Sequence, residues 1–143
     1  MVISGQTEYL ARAGAPRRPQ DLATPACIAL APEGGALRWA FAKGPAGKQV
    51  VAWQPIHSVL RVNSLALARL AALKCLGIAN LPAFACSGDL RAGRLVSVLE
   101  RYHVEFGGVY VVYPSRRHTS ATVRAFVALA LGMLRADQRL HVA

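Results

Sequence analysis

Apolar positions recur along this chain with periods that change from two to between three and four and back again, most clearly over residues 60–82, LRVNSLALARLAALKCLGIANLP. Val59, Leu60 and Val62 form a short β-prone run, and Asn63 and Ser64 after it can accept hydrogen bonds from the amides that open a helix. The helix is predicted to reach about Cys75. Gly77 follows where a left-handed residue ends such a helix, and Ile78–Leu81 resumes an apolar strand, which makes a βαβ unit. A right-handed crossover puts the first turn of that helix at the carboxyl edge of the sheet, where open α/β sheets bind ligands.

The other elements follow from similar signals. Residues 2–4 suit a short strand and residues 7–13 a helix capped by Thr7 and ended by Gly14, after which Pro16 and Pro19 keep a connector extended before a brief helical turn. Strands are predicted at residues 27–31, 37–42 and 49–53, the second with Trp39 and Phe41 on one core-facing side and a Gly- and Pro-containing hairpin loop at residues 43–47 joining it to the third. Residues 83–92 read as a short helix or loop, 94–99 as a strand, 100–106 as a polar connector and 109–113 as a strand stopped by Pro114. Ser120 caps the last helix. Val123, Phe126, Val127, Ala130, Leu131 and Leu134 recur there at helical spacing, so one face must bury. In the central helix, Leu65, Ala68, Ala72, Leu73 and Leu76 form the stripe expected to face the sheet, and Leu67, Leu70 and Ala71 leave much of the remaining surface apolar as well.

Composition narrows the function classes. A chain of 143 residues with 54% apolar residues can build a real core, no apolar run reaches the length of a membrane span, and residues 1–9 lack a signal-peptide pattern, so a soluble, cytoplasmic protein is expected. Cys27, Cys75 and Cys86 show no metal-ligand spacing and are expected to be reduced, mostly structural thiols; neither metal nor cofactor is implied. The net charge of +10 fits either a nucleic-acid surface or a solvated Arg-rich exterior whose field favours an anionic ligand. The second is preferred, because the clusters Arg17-Arg18 and Arg116-Arg117-His118 are not interleaved with aromatics. No G-x-S-x-G, phosphate loop or nucleophile–base pair is present, and His57, His103, His118 and His141 fit no catalytic arrangement, so no enzyme activity is expected.

Four segments, EYLARAGAPRRPQDLATPACI, LRWAFAKG, LRVNSLALARLAALKCLGIANLPAF and LRAGRLVSVLERYHVEFGGVYVVYPSRRHTSATVRAFVALAL, together span most of the chain. In this order they resemble the effector-binding domain of LysR-type transcriptional regulators; the most specific parts are the VN-to-GIA-x-LP spacing and the VYPSRRH-x-S-x-x-VRAF run. The resemblance implies an α/β fold like that of type II periplasmic binding proteins, two lobes with a small molecule between them. It further implies that residues 6–103 form one complete lobe. Residues 1–5 and 107–143 would be crossover strands and a remnant of the other lobe, with the helix-turn-helix and most of that lobe lying outside an N-terminally truncated chain.

The resemblance places the effector site on Asn63 and Ser64, with Gln6 and Pro82 as weaker candidates. Elementary chemistry gives an independent reason for the first two, since cap side chains and helix-opening amides offer several donors to a carboxylate; a capping role alone is the alternative. Gln6-Thr7 stands where the family commonly has Ser-Pro, Lys74-Cys75 replaces a small pair, and Ala121 replaces a proline. The implied partners are a small-molecule, possibly anionic effector and further LysR-type subunits. Two alternatives remain open: a non-sensing remnant that associates with intact relatives, or a basic nucleic-acid-binding protein.

Overall fold

The computed structural model describes residues 1–31, 37–43, 50–104, 110, 112 and 120–137. Two compact units divide the chain at residues 105 and 106. The first holds strands β1 (Val2–Gly5), β2 (Cys27–Leu30), β3 (Arg38–Lys43), β4 (Val50–Pro55), β5 (Ser58–Val62), β6 (Ile78–Leu81) and β7 (Val96–Val98). It also holds helices α1 (Thr7–Ala13), α2 (Leu65–Leu73) and α3 (Ala83–Arg91), with short 3-10 turns at Pro19–Ala23 and Glu100–Tyr102. In the second, α4 (Ala121–Ala136) starts at Ser120, whose Oγ accepts from the Val123 amide at 3.3 Å. Val127, Ala130, Leu131 and Leu134 form its less exposed stripe, while Phe126 is two-thirds exposed. The strand expected at 109–113 and the hairpin loop at 43–47 lie largely outside the described residues.

Five strands make one sheet in the order β5-β2-β6-β1-β7, and β3 and β4 make a separate antiparallel ribbon. Strand β2 is parallel to both β5 and β6, and β1 is antiparallel to both β6 and β7. The crossover from β5 through α2 to β6 therefore passes over β2, so the predicted βαβ unit encloses a third strand. Its small residues explain how α2 fits there. Ala68, Ala71 and Ala72 are buried and let the helix backbone lie close on β2 and β6, whereas Leu76, expected in the stripe, is half exposed along with Leu67 and Leu70.

Strand alternation sends residues to two cores. Ile28, Ala79 and Leu81 point towards α2 and α3, where Cys86 and Leu95 complete one core. Ile3, Cys27, Ala29, Ile78 and Val98 point the other way and meet Tyr9 and Leu10 of α1, Leu22, and Trp39 and Phe41 of the ribbon. Trp39 and Phe41 are thus core residues, as their alternation predicts.

Two helix ends differ from expectation. The cap of α1 is Gln6 rather than Thr7: its Oε1 accepts from the Glu8 amide and, at 3.2 Å, from the Tyr9 amide. The left-handed residue after α2 is Cys75, with φ of 59°, rather than Gly77. Position 77 needs glycine for a different reason. A Cβ there would stand 2.5 Å from the Ala26 carbonyl oxygen, the same oxygen that accepts the Ile78 amide at 2.9 Å.

Candidate functional site

The carboxyl ends of β2, β5, β6 and β7 lie along one edge of the five-stranded sheet, because these strands all run in the same direction. Asn63 and Ser64 continue from β5 at this edge, and Pro82 continues from β6. Leu30 pairs with Val62, and the β2–β6 register, carried two residues on from Ile28 and Ala79, sets Leu30 level with Leu81. Asn63 and Pro82 are therefore level across β2, two strand spacings or roughly 10 Å apart.

Asn63 is exposed and Ser64 half-buried. Ser64 has an extended backbone, and its Oγ accepts from the Leu67 amide at a long 3.5 Å. Pro82 opens α3 without a side-chain cap, and its carbonyl accepts from the Ala85 amide at 2.9 Å. Two helices of nine residues each thus present their first amides at one edge, and neither has an acidic residue in its first turn. By contrast, α1 carries Glu8 and the turn at Pro19–Ala23 carries Asp21. The positive ends of α2 and α3 are left without a charged side chain of their own first turn to compensate them, a setting suited to an anion.

Gln6 is not brought to this edge. Strand β1 runs antiparallel to β6, with Val2 opposite Leu81, so Gln6 lies four residues or roughly 13 Å away at the other edge. There its Oε1 serves α1 and accepts from Cys75 Sγ at 3.2 Å.

The group that ties α2 to α3 was not singled out in the sequence. Asp89 of α3 is fully buried, and its carboxylate takes Arg69 Nε at 2.6 Å and Nη2 at 2.9 Å from α2, and Arg94 Nε at 3.0 Å and Nη2 at 2.7 Å. These hydrogen bonds, those of Arg69 foremost, hold its carboxyl below the ordinary carboxylate range against the cost of burial. The clamp fixes α2 against α3, the two helices that open at the edge. Among the described residues, no group of three or more His, Cys, Asp or Glu is placed to hold a metal, and no helix is long and apolar enough to cross a membrane.

The sequence model of the LysR substrate binding domain matches residues 1–135. The chain belongs to the LysR substrate-binding-domain family. Among relatives of this LysR domain is the E. coli regulator YhjC, named as an uncharacterised HTH-type transcriptional regulator. It is 35% identical over 135 residues, which cover 94% of this chain and 44% of YhjC. YcaN, also from E. coli, is 31% identical over 89% of the chain and 40% of its own length. The LysR chain thus spans less than half the length of these curated relatives. Among solved structures, the regulatory domain of AphB from Vibrio vulnificus matches with a TM-score of 0.68 at 19% identity, over 92% of this chain and 63% of that one. CrgA, a LysR-type regulator from Neisseria meningitidis, matches with a TM-score of 0.62 at 23% identity, over 73% and 34%. The fold is that of LysR regulatory domains, which is like that of periplasmic binding proteins, and the relatives are transcriptional regulators rather than enzymes.

Proposed function

We propose that this domain senses a small, anionic effector at the edge formed by Asn63, Ser64 and Pro82, and that binding there regulates transcription through a DNA-binding domain of the complete regulator. The observation that carries this reading is the pair of helix starts, α2 and α3, side by side at the carboxyl edge with no acidic residue in either first turn. A carboxylate seated there would take the free amides of α2 and the Asn63 side chain, and the net charge of +10 favours its approach. Gln6, at the far edge, contributes through α1 and not through contact with the ligand.

A panel of small carboxylates screened by thermal shift tests the proposal. At least one should raise the melting temperature of the wild-type chain, and Asn63→Ala combined with Ser64→Ala should remove that rise. A shift that persists in the double variant would place the ligand elsewhere.

A second reading, association with other LysR-type subunits, is favoured by Leu67, Leu70 and Leu76, each about half exposed around α2. The family is oligomeric, so association and sensing are compatible. Sedimentation of the isolated chain checks it: a species larger than a monomer is expected, and Leu67→Lys with Leu70→Lys should dissociate it.

A further inference from the structure

A hollow of about 370 Å³ opens beside β7, the last strand of the five-stranded sheet. Arg17, from the connector after α1, lines it together with Ser97 of β7 and the turn that follows, Leu99 to Tyr102. The turn has a definite cause. Leu99 is left-handed, with φ of 59°, so the chain leaves β7 sharply instead of running on as strand. The Tyr102 amide then donates to the Leu99 carbonyl at 2.9 Å, and His103 Nε2 lies 3.1 Å from the Val98 carbonyl oxygen, which folds residues 100–103 back beside β7. Asp21 Oδ2 accepts the Arg17 amide at 3.0 Å and fixes the backbone from which that side chain starts.

The walls carry charges of both signs that the fold leaves unmatched. The side chains of Arg17, Glu100 and Arg101 form no ion pair or hydrogen bond with one another or with any other described residue. Asp21 does not serve Arg17 in this way, because its carboxylate is paired with the Arg18 guanidinium at 3.6 Å. Ser97 and Tyr102 add hydroxyl groups, each able to donate or accept. The hollow therefore holds two positive charges against one negative. A simple anion would suit Arg17 and Arg101 and be repelled by Glu100, and a simple cation the reverse. The complement of this wall is a molecule with two carboxylates and one ammonium. The volume is at the small end of ligand sites, which run from roughly 300 to 1,000 Å³, and suits a molecule of amino-acid size.

We infer that this hollow is a second small-molecule site and that it takes an amino acid with an acidic side chain. The two carboxylates of the ligand pair with Arg17 and Arg101, and its ammonium pairs with Glu100. The site is separate from the edge at Asn63 and Ser64. The registers of β1 with β6 and β7, carried one residue on, set Leu99 level with Leu81. Leu99 thus stands four strand spacings from the end of β5, roughly 19 Å, farther than one amino acid reaches. Every lining residue belongs to the first compact unit.

The test is an amide chemical-shift titration of the whole chain with L-glutamate, with glutarate, which lacks the ammonium, as the control. L-Glutamate should move the amides of Arg17, Glu100 and Arg101 saturably with a Kd of about 1 mM, and glutarate should bind about tenfold more weakly. Arg17→Gln and Arg101→Gln should each weaken L-glutamate about tenfold. Glu100→Gln should weaken L-glutamate and strengthen glutarate, a crossover that a general loss of structure would not produce. All three side chains are exposed, so these variants keep the fold. Asn63→Ala with Ser64→Ala should leave the response unchanged. No saturable movement at residues 17, 100 and 101, equal binding of the two ligands, a preference for L-glutamate that survives Glu100→Gln, or a response lost only in the Asn63 and Ser64 variant would each overturn the proposal.

Discussion

Ala26 decides what position 77 can be. Its carbonyl oxygen leaves no room for a Cβ on Gly77, and both atoms belong to backbone that the sheet holds in place. Gly77→Ala should therefore destabilise the protein by more than about 1 kcal/mol, read as a drop in the denaturant midpoint. A change within error would show that β2 and β6 can part at no cost. At Ser64 the effect should be smaller. The cap bond is long, so Ser64→Ala should cost about 0.5 kcal/mol, the low end for a lost cap. The three thiols should also separate. Burial pushes the Cys27 thiol up to about 12 and raises that of Cys86, whereas Cys75 is partly exposed. A maleimide at pH 8 should label Cys75 first and reach Cys27 only on unfolding, as peptide mapping would show. The sequence marks Asn63, Ser64 and Gly77 as special because each residue type has a narrow set of uses. It does not reveal why Gly77 is needed, since that depends on Ala26, fifty-one positions earlier in the chain.

At the scale of elements, the Arg69–Asp89–Arg94 clamp ties α2 to α3, and with them the two helix starts of the proposed wall. Asp89→Ala leaves two guanidiniums without their shared carboxylate. Because Arg69 and Arg94 are themselves about half exposed, the cost should fall at or below about 3 kcal/mol, the lower end for breaking a buried pair. The pH dependence has a definite sign. The folded Asp89 binds its proton more weakly than the unfolded one, so its contribution is present above the ordinary carboxylate pKa, about 3.9, and is lost as pH falls through the lower folded value. Asp89→Asn should flatten that part of the acid-unfolding curve; an unchanged curve would mean that the clamp does not contribute. Little of this was legible beforehand. Strands β2 to β6 and helices α2 and α4 follow from periodicity and caps, but Arg69, Asp89 and Arg94 are ordinary surface residue types, and only packing brings them to one point. The passage of α2 over β2 was hidden for a related reason: local patterns give strands and helices, while strand order rests on pairing between distant segments.

For the whole molecule, the family follows from the sequence, and the structure adds the strand directions on which the proposed anion site rests. Parallel β2, β5 and β6 carry Asn63, Ser64 and Pro82 to one side, and antiparallel β1 carries Gln6 to the other. That split was not readable from spacing, because Gln6 precedes a helix just as Ser64 does. Strand direction alone separates them. The measurement that bears most directly on anion binding at the starts of α2 and α3 is amide chemical-shift mapping of the chain titrated with the carboxylate that gives the largest thermal shift. Saturable changes are expected at Asn63, Ser64 and the first turn of α2, extending to the first turn of α3 and lost in Asn63→Ala with Ser64→Ala. Changes confined to the other edge around Gln6, or no saturable change at the starts of α2 and α3, would contradict it.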